Sequence, residues 1–245
     1  MLVFLLIGFS SASGEISIQN DQQFFGDDGT LHIVGEIQND FTAPVNQIEI
    51  HATLYSAGIL VESIKTTPML NTVMPEMKNP FDIIISRDIA TKIDEYSLKA
   101  SYEITEPKNQ VIDITKSDFI RDNFDNLMIT GIVANKGQTT ANTVVVVATL
   151  YDKNGNVAAV SKTHVEPDYL RANDESFFFV PVPDKIQSNS IVDYSIVAES
   201  EEYTAVPEFP LGSMALLTLS VSAYVILTRY SSKVITNLVS AVNPK

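Results

Sequence analysis

Leu31-His32-Ile33-Val34-Gly35-Glu36-Ile37-Gln38-Asn39 recurs 96 positions later as Leu127-Met128-Ile129-Thr130-Gly131-Ile132-Val133-Ala134-Asn135. The same offset carries Ala52-Thr53-Leu54-Tyr55 onto Ala148-Thr149-Leu150-Tyr151, and Ile16-Ser17-Ile18 onto Ile112-Asp113-Ile114. Tyr96-Ser97-Leu98-Lys99-Ala100 meets Tyr194-Ser195-Ile196-Val197-Ala198 at an offset of 98. A drift of two residues is what loop insertions produce, so the middle of the chain is one unit written twice.

Each copy reads as β structure. Ile48, Ile50, Ala52 and Leu54 alternate with Glu49, His51, Thr53 and Tyr55, the period of a strand buried on one face. Asn154-Gly155 predicts a tight hairpin in which both residues take positive φ, and Asp28-Gly29 leads into the Leu31 strand in the same way. Gly35 and Gly131 fall in mid-strand, where glycine marks a bulge or a close backbone approach. Short strands with no sustained helical period predict an all-β chain. Its expected form is two tandem immunoglobulin-like antiparallel β-sandwiches, over residues 15–104 and 109–203. The polar, proline-broken stretch Glu103 to Asn109 joins them.

The pattern G-x-[IV]-x-N, then an alternating strand ending in Ala-Thr-Leu-Tyr, then a glycine hairpin, resembles the FxLYD-type domain. Asn135, Leu150, Tyr151, Asp152 and Gly155 carry it in the second copy; Asn39, Leu54, Tyr55 and Gly58 carry it in the first, which has Ser56 where the second has Asp152.

The ends differ from the middle. Leu2 to Phe9 is an unbroken apolar run followed by small residues, the layout of a secretory signal peptide over residues 1–13. Leu211 to Leu227 is free of charge, and Arg229, Lys233 and Lys245 beyond it are all basic. Seventeen residues rising about 1.5 Å each reach roughly 25 Å, enough for a transmembrane helix over 211–228. The basic residues place the tail, 229–245, in the cytoplasm and the bulk of the chain outside. Pro207-Glu208-Phe209, in the linker 204–210, resembles the PEF-type C-terminal sorting signal of archaeal surface proteins. That resemblance implies a cell-surface protein whose tail is processed by a membrane enzyme.

The 245 residues contain no cysteine or tryptophan, three histidines, and 30 acidic against 16 basic residues. The cysteine count excludes disulfide frameworks, cysteine-ligated metals and thiol chemistry. A net charge of −14 argues against nucleic acid as a partner. His32, His51 and His164 show no convergent spacing, and no nucleophile-elbow, zincin, phosphate-loop or dinucleotide pattern appears. Asp152 to Asn156 reads as a turn, since an EF-hand would need glycine and glutamate where Val157 and Thr163 stand. Glu199, Glu201 and Glu202 read as a solvated acidic run. No cofactor or metal, and no catalytic residue, is expected.

One contrast between the copies points to a contact surface. Where the first copy directs Glu49 and His51 outward, the second has Val145 and Val147. An offset of 96 turns Phe178 outward beside them; an offset of 97 pairs it with Phe81 and turns it inward. Val145, Val147 and Phe178 form the candidate patch, packed against the other domain or against a protein partner. The expected function is that of a non-catalytic, single-pass surface protein presenting two interaction modules to protein partners at the cell surface. The alternative is an accessory subunit of a membrane enzyme or transporter.

Overall fold

Ile48, Ile50, Ala52 and Leu54 are buried, while Glu49, His51 and Thr53 between them reach solvent. That alternation sets one face of a strand against a core, and it recurs along an all-β chain. A computed structural model describes residues 15–123, 126–182 and 185–206. The first half holds β1 (Ile16–Phe25), β2 (Leu31–Asn39), β3 (Val45–Ser56), β4 (Ile59–Thr66), β5 (Lys78–Ile85), the one-turn α1 (Arg87–Ala90) and β6 (Glu95–Ile104). The second holds β7 (Asn109–Arg121), β8 (Leu127–Asn135), β9 (Ala141–Asn142), β10 (Val145–Asp152), β11 (Val157–His164), β12 (Tyr169–Leu170), β13 (Glu175–Pro181), α2 (Lys185–Ser188), β14 (Ile191–Glu199) and β15 (Tyr203–Ala205).

The strand order is duplicated with the sequence. In the first half β1-β2-β5 faces β4-β3-β6 across a core that includes Ile33, Ile37, Ile50, Leu54 and Phe81. In the second, β13-β8-β7-β15 faces β11-β10-β14 across Ile129, Val133, Val146, Leu150 and Phe178. This two-layer packing is sandwich-like. The second half adds the small β12-β9 pair and β15, which joins β7 in parallel. Thr204 and Ala205, expected in a linker, therefore belong to a strand. The described residues belong to one compact unit. The leader (1–13), Pro207, Glu208 and Phe209, the apolar segment 211–228 and the tail lie outside the described residues. Among the described residues no helix is long and apolar enough to cross a membrane.

The motif asparagine does the same work in each half. Asn39 Nδ2 donates to the carbonyls of Ala43 and Val73, and its Oδ1 accepts the Phe41 N–H. Asn135 Nδ2 donates to the carbonyls of Thr139 and Leu170, and its Oδ1 accepts the Gly137 N–H. Both are fully buried, and the amide ties the end of its strand to backbone groups of two other segments.

The mid-strand glycines admit an aromatic ring. Phe81 lies opposite Gly35, and Phe178 opposite Gly131. A Cβ on Gly131 would stand 2.2 Å from the Lys116 carbonyl oxygen and 2.4 Å from Phe178 Cζ. Neighbouring β1 and β7 bulge at the matching place, between Gln19 and Gln22 and between Ile114 and Lys116. The equivalence of Phe81 and Phe178 is the offset of 97, so Phe178 points into the core and leaves the expected outward patch. The first of the two residues of drift lies before β13, and one residue of slip reverses a side chain.

The hairpins also depart from expectation. At Asn154-Gly155 only Gly155 takes positive φ, 83°. Asp152 and Asn156 close a three-residue loop, and the Asp152 carboxylate accepts the N–H groups of Asn154 and Asn156. The two-residue turn with both residues left-handed occurs instead at Ala57-Gly58, φ 49° and 77°.

Gly131→Ala should lower the unfolding free energy by about 2–3 kcal/mol, since a carbonyl oxygen cannot swing aside as a side chain can. Urea denaturation of the two proteins measures it.

Candidate functional site

Strand β10 is buried from Val145 through Leu150, unlike its counterpart β3. Val146, Ala148 and Leu150 enter the second core. Val145 and Val147 are 4% and 0% exposed yet point the other way. A strand covered on both faces reads as a continuous apolar run, which accounts for Val144-Val145-Val146-Val147.

Their cover is the first half. Val145 lies beside Glu199, and Val147 between Lys162 and Val197. Val197 packs against the first core. Glu199 accepts the N–H groups of Asn71 at 2.6 Å and Thr72 at 3.4 Å. Lys162 Nζ donates to the Met69 carbonyl. Further along the same face, Val157 and Val160 cluster with Val34, with Phe24, Met69 and Tyr151 against them. The outer face of β11-β10-β14 thus stacks on the outer face of β1-β2-β5. Of the sequence-derived patch, Val145 and Val147 share this face and Phe178 does not. The two valines are covered within the chain and are not open to a separate partner.

A carboxylate sits at the centre. Glu36 is fully buried on the outer face of β2. It accepts from Asn20 Nδ2 at 2.7 Å, from Tyr151 Oη of the other half at 2.8 Å, and from Lys78 Nζ. Three donors answer the cost of removing its charge from water. Burial, then the Glu36 charge and hydrogen bond, push the Tyr151 phenol well above its ordinary range, so it remains a donor. Gln22 Nε2 also reaches across, to the Val157 carbonyl. Nothing in the alternation marked Glu36, which occupied an outward position like any surface glutamate. The available signal was its counterpart, Ile132.

The remaining candidates are dispersed. His32 Nδ1 is 2.9 Å from Asp82, its Nε2 is 3.0 Å from Thr30 Oγ1, and its ring stacks on Phe24. His51 and Lys65 pair with Glu49 in solvent. The acidic run divides: Glu199 turns to Asn71, while Glu201 and Glu202 bond to Thr143 and Asn142. Among the described residues no three histidine, aspartate or glutamate side chains are grouped to hold a metal ion. An open groove of about 570 Å³ runs between β3, β6 and the 67–71 loop. Its acidic groups are engaged, Glu103 with Gln47 and Glu49 with Lys65.

No protein-family model matches the chain, and no curated protein does. Among solved structures, red sea bream transglutaminase aligns over 82% of this chain and 32% of its own, at 10% identity and TM-score 0.23. The exo-chitosanase CsxA of Amycolatopsis orientalis aligns over 77% and 26%, at 11% identity and TM-score 0.27. The chain spans about a third or a quarter of those proteins, and scores this low carry no conclusion about activity.

Two outcomes test the contact. Replacing Val145 and Val147 together with threonine buries two hydroxyls in the contact between the halves. It should destabilise the docked halves by about 2–4 kcal/mol, read as faster hydrogen exchange in β10 and in residues 69–72. For Glu199, burial raises the carboxyl above its ordinary 4.5, against the pull of the Asn71 N–H and Lys108. The folded state then holds the proton more tightly than the unfolded chain. Its contribution is complete below about pH 4.5 and is lost as pH rises through the raised value. Glu199→Gln should flatten that part of the decline in a series of denaturation curves above pH 4.5.

Proposed function

We propose that the chain is a non-catalytic, membrane-anchored surface protein that presents a rigid pair of immunoglobulin-like, FxLYD-type β-sandwiches to protein partners outside the cell. The observation that carries this reading is the arrangement of the C-terminal sequence. Immediately after the last described residue, Val206, come Pro207-Glu208-Phe209, then the uncharged run Leu211 to Leu227, then a tail whose charged residues are all basic. Such a run is long enough to span and its basic flank orients it. The portion ahead of it carries 30 acidic against 13 basic residues, a charge suited to a soluble ectodomain and unsuited to nucleic acid. A signal peptide over 1–13 supplies export, and the PEF-like motif supplies the address. Docked sandwiches hold their outer surfaces at a fixed separation, which a flexible pair of modules does not.

Fractionation of native cells tests it. The protein should remain with membranes through high salt and alkaline carbonate and leave them in detergent. Intact mass should lack the leader. Protease added to whole cells should remove residues 15–206. Recovery of a full-length chain from the soluble cytosol would overturn the proposal.

A further inference from the structure

The two oxygens of the buried Glu36 carboxylate have different partners. Oε2 accepts the Tyr151 hydroxyl at 2.8 Å. Oε1 accepts from two nitrogens at once, Asn20 Nδ2 at 2.7 Å and Lys78 Nζ. Strand order brings them together: β2 is central in β1-β2-β5, so a glutamate on its outer face has β1 on one side and β5 on the other. Asn20 lies in the β1 bulge between Gln19 and Gln22, with φ at 54°, and a bulge re-aims the side chain it carries. Lys78 opens β5 opposite Gln38, the next residue of β2 on that face. Its side chain is 42% exposed, yet its ammonium ends on a carboxylate that is 0% exposed.

An amine, a primary carboxamide and a carboxyl group are the two reactants and the acid–base catalyst of an amide exchange. Two donors on one oxygen stand no more than about 6 Å apart, and reactants held side by side need no encounter. The Lys78 ammonium passes a proton to Oε1 along the existing hydrogen bond, and the freed lone pair attacks Asn20 Cγ. Glu36 gives that proton to Nδ2 and takes one from the attacking nitrogen. The Cγ–Nδ2 bond breaks and the new Nζ–Cγ bond remains. The departing ammonia collects the last proton from Glu36 and leaves as ammonium, so the carboxylate ends as it began. Nothing is oxidised or reduced, and the chain loses one ammonia, about 17 Da.

The second half supplies the contrast. Offsets of 96 and 97 put Lys116, Ile132 and Glu175 at the equivalent positions, with no carboxylate at the centre and no amide to attack.

We propose that Lys78 and Asn20 are joined by an isopeptide bond that Glu36 catalyses, a covalent tie across β2 between the outer strands of its sheet. In a chain without cysteine the bond restricts the unfolded state as a disulfide does. It is independent of membrane anchoring.

Tryptic digestion of the full-length protein, read by mass spectrometry, tests the bond. Lys65, Lys78 and Arg87 are successive cleavage sites, and an acylated Lys78 is not cut. The expected product is one branched species, the N-terminal peptide ending at Lys65 joined to 66–87, lighter than the sum of the two by about 17 Da. It should be absent from Lys78→Arg, which keeps a cation beside Glu36 and whose fold circular dichroism checks, and from Glu36→Gln. The peptides on either side of Lys116 should be recovered separately. Free 66–78 and 79–87 in full yield from the wild type after prolonged storage overturn the proposal. So does a branched product that survives Glu36→Gln, or a second one at Lys116. None of these readouts depends on where the protein resides in the cell, so this proposal and that of a surface anchor fail separately.

Discussion

The contact on which the described molecule depends is the stacking of one outer sheet face on another: β11-β10-β14 of the second half on β1-β2-β5 of the first. Each half already has a core between its own two sheets, and a sheet of that kind ordinarily leaves its far face to water. Here two far faces are closed against each other. Val145, Val147, Val157, Val160 and Val34 lose their exposure, at about 25 cal/mol for each Å² of apolar surface removed. Hydrophobic burial is indifferent to angle, so it explains adhesion of the halves better than it explains a single orientation.

Orientation comes from the polar groups in the same seam. Glu36 takes donors from β1, β5 and, across the seam, Tyr151 on β10. Glu199 takes the N–H groups of Asn71 and Thr72. A buried carboxylate deprived of a partner costs about 3–5 kcal/mol, so a rotated or shifted arrangement of the valines would strand Glu199 and take the Tyr151 donor from Glu36. In this seam the charges act as a register key more than as a source of stability. The raised Tyr151 phenol fits that role, since a tyrosinate would repel Glu36 where the phenol bonds to it.

Much of this architecture was legible in the chain, because repeats and alternation report on local constraints. The duplicated Gly35/Gly131 and Asn39/Asn135 pairs reported a ring crossing a strand and an amide filling a loop, both settled within one half. Strand existence followed from Ile48, Ile50, Ala52 and Leu54 in the same way. What escaped was set by distance or by a single residue. Phe178 turned inward because one more position of drift separates β8 from β13, and parity on a strand has no tolerance. Asn154 remained right-handed because the Asp152 carboxylate accepts the following N–H groups, a local bond that selects the three-residue loop. The seam was half visible. Val145 and Val147 announced an apolar outer face, but the matching features on the first half, Val34 and Glu36, sat in an alternating pattern that a solvent-facing strand would also show.

Duplication makes the divergence of the two faces a requirement. If both copies had kept the valines, the first half would present the same donor face as the second, ready for the acceptor face of another chain. Such a contact is heterologous and does not close, and its product is an open filament. Glu49 and His51 in place of the valines, paired with Lys65 in water, remove that possibility at one end of the molecule. At the other end the acceptor face has lost the carboxylate that would receive a tyrosine, with Ile132 in place of Glu36. It is aromatic, with Phe177 and Phe179 exposed on it. A surface of that composition offers the donor sheet no carboxylate for its tyrosine.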